Sequence, residues 1–296
     1  MKLVVGATGQ LGGLIARRLL ERGTDVRVLV RPGSTYQPLV DAGALPVFGD
    51  LKDPASLDAA VQGVDVVITT ANAAAGSGAD NPETVDLAGN RDLIDAARAA
   101  SVGQFIFTSA LGCSPDSPVP FMRAKGLSEQ HLRASGMPFT ILAPDFFMEV
   151  WIGAIVDLAL AEERPVTLVG EGRRKHSPVS MVDVTAFALA AIGHPAATNR
   201  YLAIGGPQAL SWREIVAIYE QVLGRAIPIQ TRAPGELVPG LPPMASGFMA
   251  AMDTYDSPLD MAETASTFGV ELTSVEALAR EHWPERRRLG LISNSN

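Results

Sequence analysis

The chain has 296 residues, of which 47% are hydrophobic and 19% charged, and a formal net charge of −8 with a pI near 5.1. That length buries a sizeable core unaided, the acidic balance gives no general attraction to nucleic acid, and no apolar run approaches the ~18 residues of a membrane span. The single cysteine, Cys113, excludes an internal disulfide and a multi-thiolate zinc site, so no metal is expected.

No charged leader, apolar core and cleavage site follow Met1, and the expected location is cytoplasmic. "KLVVGA" (2–7) reads as the first strand. "GQLGGLIARRLLERG" follows as a helix with Leu11, Ile15 and Leu19 at helical spacing and Gly23 as its stop. "DVRVLV" and "LPVFGD" are the second and third strands, and Asp53 and Pro54 supply an N-cap and a first-turn proline for the next helix. "VDVVITT" is the fourth strand. A polar break, "ANAAAGSGADNPETV", precedes the helix "DLAGNRDLIDAARAA"; "QFIFTSA" and "PFTILAP" complete six strands by residue 143, with "RYLAIGG" a candidate seventh. Strands alternating with helices are βαβ units. The fold class is therefore α/β, a doubly wound parallel sheet, with a dinucleotide-binding domain over 1–150, its sheet completed by 176–206, and a smaller C-terminal lobe over 151–296.

The corner between the first strand and helix carries Gly6, Gly9 and Gly12 in "VVGATGQLGG". A dinucleotide site uses such glycines in turn: Gly6 for the tight turn, Gly9 for backbone approach to a pyrophosphate, Gly12 for close packing of helix on sheet. The amides at the helix start then face negative charge, where the helix dipole favours it. An adenine ribose with a free 2′-hydroxyl calls for an acidic residue at the end of the second strand, but here the chain reads "VLVRPGS". Arg31 suits a 2′-phosphate instead, which favours NADP(H) over NAD(H); the alternative is an exposed arginine after a strand.

"GATGQLGG", "VRVLVRPGS", "GDLKDPASLDAAVQGVDVVI", "FIFTSALG", "AKGLSEQHLRASGMPFTILAPDFF" and "GGPQALSWREIVAIYEQVLGR" together resemble the NmrA-like branch of the atypical short-chain dehydrogenase/reductases, with their Rossmann fold. The likeness runs from residue 1 to about 225. That branch holds quinone, dye and isoflavone-type reductases as well as redox-sensing regulators without enzyme activity. The resemblance implies further cofactor contacts at Thr8, Gln10 and Leu11 in the turn, at Asp50 and Leu51 beside the adenine, and at Ala71 and Asn72 after the fourth strand. It also places Pro144, Phe146 and Phe147 by the nicotinamide, packing at a strand end being the alternative for the two phenylalanines.

Ordinary members of the superfamily carry Tyr-x-x-x-Lys, with the tyrosine as proton donor. This chain reads "FMRAK": Phe121 has no proton to give, while Lys125 is retained one turn on. Ala110 stands in the usual serine place, with Ser109 one residue earlier. Hydride transfer to acceptors that need little acid catalysis is the expectation, with Lys125 as catalytic and cofactor-holding residue and a surface lysine as the alternative.

In the C-terminal lobe Asp183 is expected to cap a helix, and Ser211 with Glu214 to form a capping box. His176 is a candidate for a substrate contact, a polar loop residue being the alternative, and Trp212 reads as packing. Met244, Phe248, Met249 and Met252 suit either a core or a pocket for an aromatic substrate. "GRRK" and "ERRR" read as solvated surface, and "LGLISNSN" as a loose tail. Two functions follow: an NADPH-dependent reductase of an aromatic or quinone-like small molecule, or an NADP(H)-binding sensor or assembly protein without turnover. Neither nucleic acid nor membrane is an expected partner, and the chain is a monomer or homodimer.

Overall fold

The structure, a computed structural model, describes residues 1–73, 76, 78–238, 241 and 243–288, with side chains beyond 281 and at 243–245 left aside. Among the described residues nine strands form: β1 Lys2–Val5, β2 Val26–Val30, β3 Leu45–Phe48, β4 Val66–Thr69, β5 Gln104–Thr108, β6 Phe139–Pro144, β7 Val166–Val169, β8 Arg200–Ile204 and β9 Ile229–Arg232. Seven build one parallel sheet in the order β3-β2-β1-β4-β5-β6-β8, and all six strands expected by residue 143, together with the candidate seventh, belong to it. Its interior strands are apolar at almost every position because helices cover both faces. Leu3, Val5, Val67, Phe105, Phe107 and Ile141 pack on one side with Leu93, Ile94, Ala97 and Leu132 from helices.

The chain divides into two compact units. The first comprises Met1–Pro144, Val184–Ile204 and Ser266–Val270, and contains the whole seven-stranded sheet; the second comprises Asp145–Asp183, Gly205–Ala265 and the chain from Glu271 onward. In the first, strand order reverses between β1 and β4, the place where a doubly wound sheet opens a crevice beyond its strand carboxyl ends. The second holds a small parallel pair, β7 with β9, which the sequence patterns do not announce. Its core gathers Phe146, Ile155, Leu168, Ile215, Tyr219, Met249 and Met252. Met249 and Met252 are therefore core residues. The Met244 side chain, the "ERRR" side chains and residues 289–296 lie outside the described residues.

Three local expectations change. Asp183 does not cap its helix: the helix Met181–Ala190 begins two residues earlier, and Ser180 Oγ accepts the Val182 N–H at 3.1 Å. The Asp183 carboxylate instead accepts the Thr273 N–H and hydroxyl at 2.8 and 2.7 Å. Asp53 does stand at the N-cap before Pro54, but its side chain makes no capping bond. The helix placed from Asp86 starts at Pro82, because Asn81 and Thr84 form a reciprocal capping box within the polar break; it runs as a π-helical segment Pro82–Gly89 into Asn90–Ala99. The Ser211–Glu214 box caps Trp212–Leu223 as expected. Among the described residues no helix is long and apolar enough to cross a membrane, and no cluster of three His, Cys, Asp or Glu could hold a metal ion.

Candidate functional site

β1 ends at Val5 and the chain turns through Gly6 at φ +84°, a left-handed conformation that favours glycine. A Cβ there would also lie 2.8 Å from the Ala71 nitrogen, so the turns after β1 and β4 meet at backbone distance. A Cβ on Gly12 would lie 2.2 Å from the Gly6 carbonyl oxygen, which is how closely the helix Gln10–Glu21 sits against the turn. Gly9 occupies the N-cap, donates to Gly6 O at 3.0 Å and faces solvent together with Thr8 and Gln10, while Leu11 is buried as the anchor. No side chain caps this helix and its first turn carries no acidic residue. Its first amides are consequently placed to receive an anion.

At the carboxyl ends of β2 and β3 stand charged residues. Arg31 Nη1 donates to Asp80 Oδ2 at 2.6 Å, and Lys52 Nζ donates to the other oxygen, Asp80 Oδ1. These hydrogen bonds, Lys52 first and then Arg31, hold the Asp80 carboxyl below the usual carboxylate range. Asp50 Oδ1 accepts the Lys52 N–H at 2.9 Å, and its other oxygen lies 3.6 Å from Lys52 Nζ. Leu51 is buried against Gly89, where a Cβ would meet Leu51 Cβ at 2.7 Å. Ala71 is half-buried beside Gly6; Asn72 is exposed and donates to Thr70 O at 3.3 Å.

Beneath β4 and β5 lies a second polar group. Lys125, on the helix Pro120–Ala134, is only 3% exposed: Nζ donates to Thr108 O at 3.0 Å and sits 3.3 Å from Asp86 Oδ1. Asp86 is fully buried, and its Oδ2 accepts the Ala73 N–H at 2.9 Å. Burial pushes the Asp86 carboxyl up, opposed by the Lys125 charge. The Lys125 ammonium also lies 5.0 Å from the Phe107 ring centre and 5.4 Å from that of Phe121. The surface-lysine alternative is thus excluded. Ser109 is equally buried and donates to Glu129 Oε1 at 2.5 Å.

Pro144 closes β6 in the first unit. Phe146 and Phe147 belong to the second, where Phe146 is 5% exposed and stacks on Trp212 at 5.2 Å between ring centres, while Phe147 is half-buried and bridges to Val179. His176 does not face an open surface: it is 1% exposed, with Nδ1 2.7 Å from Ser257 Oγ and Nε2 3.0 Å from Met252 O. Ser257 Oγ in turn donates to Asp145 Oδ2 at 2.8 Å.

Sequence reasoning missed Asp86, Lys52 and Asp80. For Asp86 a signal exists: Asp86 and Asn90 continue the buried stripe of Leu93, Ile94 and Ala97 at helical spacing, and a polar residue on such a stripe requires a buried partner. Lys125, Ser128, Glu129 and Leu132 form the matching stripe on the neighbouring helix, and Ser128 Oγ donates to Asp86 O at 2.6 Å. Nothing local marks Asp80 or Lys52.

The pattern of an NAD(P)H-binding family matches residues 6–195. The chain is 32% identical over 227 residues to the NAD(P)H azoreductase of Xenophilus azovorans, covering 77% of this chain and 75% of that protein. It is 33% identical over 232 residues to the photosystem II assembly factor Ycf39 of Cyanophora paradoxa, covering 78% and 71%. Its fold is that of the Citrobacter sp. triphenylmethane reductase complexed with NADP(H), at a TM-score of 0.80 and 21% identity over 95% of this chain and 99% of that one. The Escherichia coli NADPH-dependent quinone oxidoreductase has it too, at a TM-score of 0.78 and 21% identity over 94% and 98%.

Proposed function

This chain belongs to the NmrA-like atypical short-chain dehydrogenase/reductases, an NAD(P)H-binding family, and from that premise we propose that it is an NADPH-dependent reductase of a quinone-like or otherwise conjugated small molecule. The observation that carries the reading is the β1 corner, where Gly9 leaves backbone exposed at an uncapped helix start with Arg31 at the end of the adjacent strand. The residues fit a dinucleotide. The backbone at Thr8, Gly9, Gln10 and Leu11 binds the pyrophosphate, Arg31 the 2′-phosphate, Asp50 and Leu51 the adenine, and Ala71, Asn72 and Pro144 line the way to the nicotinamide. When bound, the nicotinamide supplies the hydride.

Lys125 orients rather than delivers protons. One N–H is donated to Thr108 O, the ammonium pairs in charge with Asp86 Oδ1 at 3.3 Å, and a further N–H is the one we assign to the cofactor ribose. Phe121, in the tyrosine's place, offers no proton and lays an apolar ring over the ammonium. The acceptor is accordingly one whose reduced form is stabilised by conjugation, and water provides the proton. A chemistry of this kind agrees with the azoreductase among the relatives.

A second reading is favoured by the same Phe121 and by the likeness to an assembly factor: NADP(H) binding without turnover, coupled to a protein partner. The two separate in one experiment. NADPH oxidation is followed against a panel of quinones, azo dyes and cationic dyes, with Lys125→Ala beside the unaltered chain. Turnover that the variant loses supports the reductase; tight NADPH binding with no turnover across the panel replaces it by the second reading.

A further inference from the structure

The two cations beyond β2 and β3 converge on a single carboxylate. Arg31 takes one oxygen of Asp80 and Lys52 the other, and the Arg31, Asp80 and Lys52 side chains are 56%, 33% and 29% exposed. Asp80 comes from the segment after β4, 49 residues from Arg31 and 28 from Lys52. Exposed ion pairs contribute little to stability, so the fold does not depend on this clamp and its partners are free to exchange. A two-cation clamp on a small planar anion is also the arrangement that receives a phosphate monoester, which brings more charge and three acceptor oxygens to the same donors. Lys52 lies beside Asp50 as well, so the cluster holds two carboxylates against two cations, and a dianion entering in place of Asp80 gains more than the carboxylate it replaces.

We propose that Asp80 is an internal competitor of the cofactor's 2′-phosphate: Arg31 and Lys52 together form the seat for that phosphate, and the Asp80 carboxylate occupies it until the phosphate displaces it. The inference rests on the cofactor reading above and deepens it in two ways. Lys52 becomes a determinant of selectivity for NADPH beside Arg31. Asp80 becomes the residue that lowers the apparent affinity for the phosphorylated cofactor, because only the fraction of molecules with the seat vacated is competent to bind it. NADH brings no 2′-phosphate and leaves Asp80 in place.

Titration calorimetry tests this with four probes: NADPH, NADH, adenosine 2′,5′-bisphosphate and 5′-AMP. Asp80→Asn keeps the shape and removes the charge; it is expected to tighten NADPH and the bisphosphate by ~3–10-fold and to leave NADH and AMP within ~2-fold. Lys52→Gln is expected to weaken the same two phosphorylated probes by ~10-fold, again without effect on the others. Asp80→Ala, with a thermal melt on each variant, separates competition from local unfolding. Unchanged or weaker bisphosphate binding in a folded Asp80→Asn chain overturns the inference, as does an equal change for NADH. If the unaltered chain binds neither dinucleotide, the cofactor reading itself falls; if it binds NADPH and the two Asp80 variants alter nothing, only the competitor falls.

Discussion

Gly9 and Gly12 stand three residues apart in one turn, yet their substitution by alanine has opposite consequences. At Gly12 a Cβ would lie 2.2 Å from Gly6 O, 2.7 Å from Gly6 C and 2.6 Å from Thr70 Oγ1. Ordinary contact begins at 3.4 Å, so the helix must retreat by about 1.2 Å (3.4 less 2.2) from backbone that is itself held in a left-handed turn. Overpacking of this kind costs ~1–3 kcal/mol, and its upper end applies because the obstructing atom is a carbonyl rather than a flexible side-chain tip. Alanine's better helix propensity returns ~1 kcal/mol. A net loss of ~2 kcal/mol lowers the melting temperature by ~4–8 °C in a chain of this order. At Gly9 the backbone, φ −83° and ψ 170°, is open to alanine, and the nearest obstacle is Gly6 O at 3.3 Å. Gly9→Ala therefore melts within ~1–3 °C of the unaltered chain. Its methyl group nevertheless stands on the exposed surface assigned to the pyrophosphate, and NADPH affinity drops by ~10-fold or more. Thermal unfolding by circular dichroism with calorimetric titration of NADPH reads both quantities. A Gly12→Ala chain with unchanged melting, or a Gly9→Ala chain with undiminished NADPH binding, refutes the division of labour between the two glycines.

Lys125→Met leaves Asp86 buried without its counter-charge and is expected to destabilise by ~3–5 kcal/mol, with Asp86→Asn in the same background recovering most of it in urea unfolding; additive losses refute the pairing. Because the carboxyl of Asp86 is already raised by burial, the folded Lys125→Met chain binds a proton that the unfolded one gives up, so its deficit is larger at pH ~8 than at pH ~5. The Tyr201 phenol is pushed up to about 12 by burial and then by Glu129, against an ordinary value of 10.0. Its contribution to stability is whole below pH 10 and declines as pH rises from there toward 12, where the unfolded chain has ionised and the folded one has not. Tyrosinate absorbance, taken as the difference from Tyr201→Phe, locates the midpoint; one at 10 contradicts the burial argument. Ser257→Ala removes the hydroxyl beside the buried His176 and is expected to cost ~1–3 kcal/mol in chemical denaturation; a substrate-facing histidine would show in KM with stability unchanged.

What was legible and what was not divides along particular residues. The strand, glycine corner and helix at residues 2–21 are consecutive, and their signals act on neighbouring backbone, so the turn at Gly6 and the close packing at Gly12 follow from spacing alone. The capping box at Ser211 and Glu214 is equally local. Asp183 went the other way: its position near a helix start suggests a cap, and only Thr273, 90 residues on, gives the carboxylate its actual partner. The β7–β9 pair eluded the pattern because β9 alternates only weakly and is partly exposed, which leaves its pairing to a strand some 60 residues earlier.

By itself the amino-acid order determined the alternation of strands and helices, hence a parallel sheet, and the bare backbone of its first corner, since both depend on periodicity and on glycine's freedom over a few adjacent positions. The tertiary structure alone decided which charges meet. It set Lys125 against Asp86 and gathered Arg31, Lys52 and Asp80 at one end of the sheet, joining positions 28 to 49 residues apart. The sign and burial of a side chain's neighbours are properties of packed elements, and no stretch of sequence contains them before the sheet brings its strand ends together.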